Sequence, residues 1–261
     1  MIKKLFLILC LIMFTCCGCA KKSEKSLNDL DTIVNRGELI VGVKTDTYPF
    51  GFKNAKGEYL GYDVSLAKLI ARGLLGSEDK VKFVPVSTYD RMFKLDSNEV
   101  DIIIATMSIT HQRQQILDFS VPYYTAGQAI LVKKGSSIKN IHDLKNKRAI
   151  IVFGSTSEKS LRETVQNVGI IGYKTYKDAY NALKQGKGDA IVADDTILYG
   201  FAYKDNNVVI LPKRYTKEPY AVAFRKGSRS KELIKSVNEI INTETRNGNL
   251  KRMRAKFGIK N

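Results

Sequence analysis

The sequence predicts an α/β fold with two similar lobes. Short apolar runs alternate with amphipathic stretches along the 261 residues, and this alternation is typical of a largely parallel sheet covered by helices. One helix-then-strand unit occurs twice, and in each copy an aspartate opens the apolar strand. Asp101 lies 12 residues after Tyr89, and Asp189 lies 13 residues after Tyr176. We expect one copy in each lobe; a generic α/β rhythm is the alternative.

Hydrophobic periodicity places the individual elements. The predicted strands are 38–44, 80–86, 100–106, 128–134, 148–153, 189–194, 208–211 and 220–226. The predicted helices are 63–76, 90–97, 157–168, 177–186 and 231–248. A further helix is expected to begin at His111, in the run HQRQQILDF. Ligands of open α/β sheets bind beyond the carboxyl ends of the strands, so the residues that follow these strands are the candidates for a site.

The N-terminal segment predicts export. Two lysines precede an apolar run at 5–17, which is shorter than the about 20 residues of a spanning helix. A basic start, a short apolar core and small residues are typical of a signal peptide, here 1–18. The stretch TCCGCAKKS resembles a bacterial lipobox, so we expect lipidation at Cys19, with Cys17 or an uncleaved anchor as alternatives. Residues 19–30 would be the lipidated cysteine and its tether.

The formal net charge of +17 suits an anionic membrane or cell-wall surface in an exported chain. The basic residues are scattered and do not interleave with aromatic residues as they do on a base-stacking surface. We therefore expect solvated basic faces and no nucleic-acid partner.

The sequence gives little support for a catalytic or metal-binding motif. Ser108 and His111 lie three residues apart, but no G-x-S-x-G motif surrounds the serine. Two isolated histidines without paired cysteines give no metal-ligand spacing, and no glycine-rich phosphate loop follows a strand. The sequence therefore predicts no enzyme, no metal and no cofactor.

An anion site is better supported. The loop TMSIT and the loop GSTSE (154–158) each lie between a strand and a helix, where backbone N–H groups and the helix dipole favour an anion. Arg113 adds a guanidinium, which binds carboxylates through paired hydrogen bonds. Asp194 ends a strand and offers the opposite charge. An arginine and an aspartate from two lobes match the zwitterionic head of a free amino acid.

Longer sequence motifs indicate one particular protein family. GYDVSLAKLIA (61–71) and DIIIATMSITHQRQQILDFSVPYY resemble motifs of the bacterial extracellular solute-binding proteins of family 3, and GSTSE and DAIVAD recur in the same order. The resemblance extends from Leu39 to Phe257. It implies the type II periplasmic-binding-protein fold, in which two α/β lobes joined by two crossing strands close over an amino acid. Lobe 1 would comprise 31–124 plus 223–261, and lobe 2 would comprise 125–222.

The resemblance also implies roles for matched residues. Arg113 would hold the α-carboxylate together with Ser108 and Thr156. Asp194 would hold the α-ammonium, helped by Thr106.

Four more residues bear on the side chain of the ligand. Tyr48 lies where the family has a wall of the pocket. Lys44 ends a strand, and Arg91 lies in the first turn of a helix, where the dipole disfavours a cation; a rim lysine and a surface arginine are the alternative. Acidic-amino-acid binders of the family have a similar pair, and Tyr176 aligns with a ligand-contacting tyrosine in them. Two cations beyond the clamp need an anion, which predicts glutamate or aspartate, with glutamine next.

The resemblance thus predicts a monomeric, lipid-anchored receptor that delivers a free amino acid to an ABC permease. It would lie at the outer face of the cytoplasmic membrane or in the periplasm. An enzyme resembling cyclohexadienyl dehydratase is one alternative on the same fold. A sensor ectodomain is another, and it would require a receptor or kinase segment after Asn261.

Overall fold

The computed structural model describes residues 27–259. The predicted signal peptide and the lipidation site at Cys19 lie outside these residues. The helices are α1 (Asp29–Arg36), α2 (Tyr62–Leu75), α3 (Arg91–Asp96), α4 (His111–Gln114), α5 (Ser157–Thr164), α6 (Tyr176–Lys184), α7 (Asp195–Ala202), α8 (Lys231–Arg246) and α9 (Asn249–Lys256). Short 3₁₀ helices lie at Ile141–Leu144 and Ser228–Ser230.

The strands are β1 (Leu39–Val43), β2 (Asp46–Thr47), β3 (Gly51–Lys53), β4 (Tyr59–Leu60), β5 (Val81–Pro85), β6 (Ile102–Ile103), β7 (Leu117–Phe119), β8 (Tyr124–Ala126), β9 (Gln128–Lys133), β10 (Arg148–Val152), β11 (Gly169–Tyr173), β12 (Ala190–Asp194), β13 (Val208–Ile210), β14 (Glu218–Tyr220) and β15 (Ala223–Arg225). They form two five-stranded sheets, with the orders β5-β1-β6-β15-β7 and β11-β10-β12-β9-β13. In each sheet the fourth strand runs antiparallel to both of its neighbours.

The repeated helix-then-strand unit occupies the same place in both sheets. Its strands, β6 and β12, are the central strands. The aspartates that open them have matching contacts: Asp101 accepts a 2.7 Å hydrogen bond from the N–H of Ile40, and Asp189 accepts one of 2.7 Å from the N–H of Arg148. Each aspartate thereby ties its strand to the beginning of the next strand in the sheet. The repeat is structural, and its aspartates are not site residues.

The chain passes between the sheets twice. It leaves the first sheet through β8 and enters the second as β9, and it returns through β14 to β15. These crossings pair with each other as an antiparallel ladder, with Tyr220 opposite Tyr124 and Glu218 opposite Ala126. This architecture confirms the predicted type II periplasmic-binding-protein fold. The exact bounds of the two lobes stay a prediction.

Several element boundaries differ from the predictions. The predicted strand 220–226 is two strands in different sheets, because the chain changes sheets between Tyr220 and Ala223. The helix that begins at His111 ends at Gln114, and the apolar residues after it form β7 beside β15. The tether prediction of 19–30 extends into α1, which begins at Asp29.

Both faces of each sheet are covered. Along β10, Ile150 and Val152 pack into one apolar cluster, while Ala149 and Ile151 pack into another. Such two-sided burial is expected of parallel sheets, and it leaves the strand ends as the places where polar groups can converge. Within residues 27–259, no helix is long and apolar enough to cross a bilayer.

Candidate functional site

Polar residues of both sheets converge at the strand ends. Lys44 follows β1, Thr106 and Ser108 follow β6, and all three are buried. From the second sheet, Asp194 is the last residue of β12 and is also buried. The Gly154–Thr156 loop follows β10. We call this convergence the cleft.

Arg113 joins the two lobes across the cleft. Thr110 caps α4 by accepting a 3.1 Å hydrogen bond from the N–H of Arg113, which fixes the base of its side chain. The guanidinium donates to the carbonyl of Ser108 at 2.7 Å and to that of Gly154 at 2.9 Å. Burial and the nearby Arg91 lower the pKa of Arg113 to about 10, so it stays charged at neutral pH. Since a guanidinium has five N–H donors, donors remain for a ligand carboxylate.

Thr156 lies next to this clamp but its hydroxyl is already engaged. The hydroxyl accepts a 2.7 Å hydrogen bond from the Gln128 amide and donates to the carboxylate of Glu218 at 3.2 Å. Ser108 contributes its carbonyl to Arg113, and it bridges to Tyr220 through the backbone. Direct ligand contacts of Ser108 and Thr156 therefore stay a prediction.

Asp194 is a buried carboxylate held by one tyrosine. The hydroxyl of Tyr220 donates to it at 2.6 Å and lies 2.7 Å from the hydroxyl of Thr196. Burial and the charge of Glu218 raise the pKa of Asp194 to about 6. The carboxylate is thus ionised at neutral pH and gains from any cation that reaches it.

Thr106 is held in an unusual backbone conformation. Its φ of 48° lies in the left-handed region, which is costly for a β-branched residue. Its N–H donates to the carboxylate of Asp63 at 2.9 Å, and its carbonyl accepts from Arg91 at 3.1 Å. Asp63 also accepts from the hydroxyl of Tyr123 at 2.9 Å, and burial raises the pKa of its carboxyl to about 6. Asp63 and Arg91 therefore hold this strand end from two sides.

Lys44 and Arg91 are both buried, so the alternative of a rim lysine and a surface arginine is wrong. Lys44 is 1% exposed, and its Nζ lies 4.8 Å from the centre of the buried Tyr176 ring. Burial and the charge of Arg91 lower the pKa of Lys44 to about 7. Arg91 donates to the carbonyl of Ala105 at 2.6 Å as well as to Thr106. Arg91 is therefore partly a structural residue, and Lys44 is the freer of the two cations.

Tyr48 contacts the other lobe. Its ring stacks on Tyr203 at 5.4 Å and on Tyr199 at 6.4 Å, and it meets the edge of Phe52 at 5.1 Å. Its predicted role as a wall of the pocket stays a prediction.

The buried charges of the cleft are balanced. The cations are Lys44, Arg91 and Arg113, and the carboxylates are Asp63, Asp194 and Glu218. Sequence reasoning missed Asp63 and Glu218, although Asp63 is the acidic residue of the motif GYDVSLAK. The described chain therefore supplies as many buried carboxylates as buried cations here, so the acidic-ligand prediction does not follow from a surplus of positive charge.

Several buried polar atoms of the cleft have no hydrogen-bond partner within the described residues. They are Lys44 Nζ, Thr88 Oγ1, Arg91 Nε, Thr106 Oγ1 and Gln128 Oε1. An unsatisfied buried polar group costs about 1–3 kcal/mol, so this concentration favours a polar ligand between the lobes. In the same described range, no group of three or more histidine, cysteine, aspartate or glutamate residues is arranged to hold a metal.

Comparisons with known proteins agree with this geometry. The family model described as bacterial extracellular solute-binding proteins, family 3, matches residues 39–260. The ABC transporter glutamine-binding protein GlnH of Bacillus subtilis (strain 168) is 40% identical over 234 residues, which are 87% of this chain and 85% of that protein. The glutamine-binding protein of Geobacillus stearothermophilus is 40% identical over 215 residues, 81% of this chain and 82% of that protein.

Two further comparisons involve other solutes. The crystal structure of the cysteine-binding protein from Campylobacter jejuni has a TM-score of 0.84 at 33% identity and covers 88% of this chain and 93% of that chain. The glutamate/aspartate import solute-binding protein of Escherichia coli (strain K12) is 28% identical over 208 residues, 76% of this chain and 69% of that protein.

Proposed function

Because this chain belongs to the bacterial extracellular solute-binding proteins of family 3, and is thus an amino-acid-binding component of an ABC transporter, we propose that its solute is L-glutamine. Two relatives at 40% identity are named as glutamine-binding proteins, whereas the named glutamate/aspartate protein is 28% identical. This comparison favours glutamine over the acidic amino acids that the sequence alone predicted.

The balanced charge of the cleft is the observation that carries the proposal. Asp63, Asp194 and Glu218 offset the three buried cations. A further negative charge would therefore need an additional buried cation or a bound proton. A neutral zwitterion with an amide side chain leaves the balance undisturbed.

The contacts suggest one orientation for the ligand. The α-carboxylate binds the remaining donors of Arg113, beside the Gly154–Thr156 loop. The α-ammonium binds Asp194, with the hydroxyl of Thr106 as a second acceptor. The side-chain amide lies toward Lys44, whose Nζ lacks a partner in the described part of the chain.

The unpartnered Nζ of Lys44 favours glutamate or aspartate as the second candidate solute, since a carboxylate would keep that amine charged. An enzyme resembling cyclohexadienyl dehydratase has less support, because the Bacillus subtilis and Escherichia coli relatives are named as ABC transporter or import binding proteins. We further propose that the mature chain is a monomer, exported and lipidated at Cys19.

A thermal-shift panel of the twenty L-amino acids and D-glutamine tests the proposal. L-glutamine at about 100 times its Kd should stabilise the fold by about 2.7 kcal/mol, which corresponds to a rise of roughly 5–10 °C in the Tm of a chain of this size. The shift should be smaller with L-glutamate and absent with D-glutamine. The largest shift with a basic amino acid, or no shift with any, contradicts the proposal.

A further inference from the structure

Tyr48, Tyr199 and Tyr203 form an aromatic stack between elements of different lobes. Tyr48 lies in the loop between β2 and β3, on the side of the first sheet, whereas Tyr199 and Tyr203 belong to the α7 region, which follows β12 of the second sheet. The ring planes of Tyr48 and Tyr203 are 22° apart, and those of Tyr48 and Tyr199 are 16° apart. Such offset-stacked pairs are attractive beyond the area that they bury.

Gly200 lets the backbone of Tyr48 approach α7 closely. A Cβ at position 200 would lie 2.8 Å from the carbonyl oxygen of Tyr48 and 3.6 Å from its Cβ. Glycine is a poor helix former. Gly200 nevertheless lies inside α7, and its φ is not positive, so backbone conformation does not explain why a glycine occupies this position. A residue that breaks a local preference at a close contact indicates that the contact itself is required.

The stack is also coupled to the site. α7 begins at Asp195, directly after Asp194, the proposed ammonium partner. Tyr199 and the C-cap residue Tyr203 therefore belong to the element that begins beside this partner. Tyr199 is 40% exposed and Tyr203 is 64% exposed. The stack is thus a surface contact that can separate without opening an apolar core.

We propose that Tyr48, Gly200, Tyr199 and Tyr203 form a tyrosine latch, which holds the two lobes closed and thereby sets solute affinity and release rate. The latch rests on the proposed function, in which the solute binds between the lobes and is released when they separate. Affinity falls in proportion to the fraction of molecules that can reach the closed state, so a weaker latch weakens binding without any change in solute contacts.

Gly200→Ala is the sharpest test. In the closed state the added methyl meets the backbone of Tyr48, and once the lobes separate alanine suits the helix better than glycine does. We expect about tenfold weaker glutamine binding, because overpacking a close contact is costly, with an unchanged association rate and a faster dissociation rate. The Tm of the ligand-free variant should be equal to or above that of the wild type. Stopped-flow binding, calorimetry and thermal unfolding give these quantities.

Tyr203→Ala and Phe93→Ala form a matched pair of truncations. Both side chains are largely exposed, at 64% and 69%, but Phe93 lies on α3 outside the stack. Tyr203→Ala should weaken binding about threefold through the loss of its stacked pair with Tyr48, and Phe93→Ala should stay within about twofold of the wild type. Wild-type affinity in both Gly200→Ala and Tyr203→Ala overturns the latch.

A wrong solute and a wrong latch give different results. If the wild type prefers another amino acid, the glutamine proposal fails, and the affinities of the variants and the wild type are compared for that amino acid. If the wild type binds none, the proposed function fails, and small-angle X-ray scattering of the ligand-free proteins decides the latch. A larger radius of gyration in Gly200→Ala than in the wild type supports the latch, and equal values overturn it.

Discussion

Asp63→Asn should shift the preference of the cleft toward acidic amino acids. Asp63 is fully buried, accepts hydrogen bonds from the Thr106 N–H and the Tyr123 hydroxyl, and offsets the charges of Lys44 and Arg91. An asparagine keeps the shape: its amide oxygen accepts from Thr106, and its NH₂ group donates to the Tyr123 oxygen. The substitution therefore removes one negative charge from the cleft and keeps the hydrogen bond from Thr106, while the bond with Tyr123 reverses its direction and the Tyr123 hydroxyl proton loses its acceptor.

The magnitude follows from Coulomb's law. For an assumed separation of about 8 Å between the Asp63 carboxylate and the side-chain carboxylate of a bound glutamate, two unit charges interact by about 2 kcal/mol at an effective dielectric constant of about 20. Removal of the Asp63 charge relieves this repulsion for the side-chain carboxylate of glutamate, whereas the neutral amide of glutamine gains nothing. The ratio of glutamate affinity to glutamine affinity should therefore rise about 30-fold. At pH 7 the effect is present, because the pKa of Asp63, although raised to about 6 by burial, leaves the carboxyl mostly ionised.

Calorimetric titration of both amino acids into the wild type and the variant measures this ratio. Asp79→Asn is the matched control, because Asp79 is exposed and its loss changes the net charge of the chain by the same amount. The control should leave the ratio unchanged. A ratio in Asp63→Asn within twofold of the wild type would refute the charge-balance reasoning.

Three further changes test other parts of the site. Arg113→Ala should weaken binding of every amino acid about 100-fold or more, since hydrogen bonds to charged groups contribute about 1.5–3 kcal/mol each; His111→Ala, at an exposed position on the same helix, is the control for calorimetry. Glutamine affinity should fall by about tenfold per pH unit below about 6, because burial raises the pKa of Asp194 to about 6 and only the ionised carboxyl pairs with the ammonium; a titration series from pH 8 to pH 5 in which affinity stays constant contradicts this pairing. Lys44→Met should raise the Tm of the ligand-free protein by about 5–10 °C near pH 7 and weaken glutamine binding. Because burial lowers the pKa of Lys44 to about 7 in the fold, the unfolded chain holds the extra proton between about pH 7 and pH 10. The free energy of unfolding of the wild type therefore rises with pH across that window, so the excess Tm of Lys44→Met over the wild type should shrink. Thermal unfolding of both proteins measures this excess, and an excess that grows with pH is the contradicting result.

The fold could be predicted from the sequence because its signals are local. The repeated unit, with Asp101 and Asp189 at the openings of its strands, marks the central strand of each sheet. The change of sheet within 220–226 could not be predicted, since one apolar run serves two strands. The run that begins at His111 has a helical start, but its later residues pair with β15, a partner more than 100 residues away in the chain.

The cleft could be predicted only in part, because burial and charge pairing are three-dimensional properties. Arg113 and Asp194 stand at ends of elements where a site is expected, and both are buried there. Sequence position does not say that Lys44 and Arg91 are offset by the carboxylate of Asp63, or that Glu218 lies near Arg113. The acidic-solute prediction counted cations without those carboxylates. Likewise, the stacking of Tyr48 on α7 depends on how the lobes meet, which no local pattern encodes.

The preference between glutamine and glutamate tests the central claim most directly. Wild-type protein is unfolded in denaturant, dialysed free of bound amino acid, refolded and titrated with each at pH 7 in a calorimeter. A charge-balanced cleft predicts that glutamine binds at least about tenfold more tightly, a difference of about 1.4 kcal/mol. Glutamate binding as tightly as glutamine, or more tightly, would contradict the claim that Asp63, Asp194 and Glu218 already balance the three buried cations.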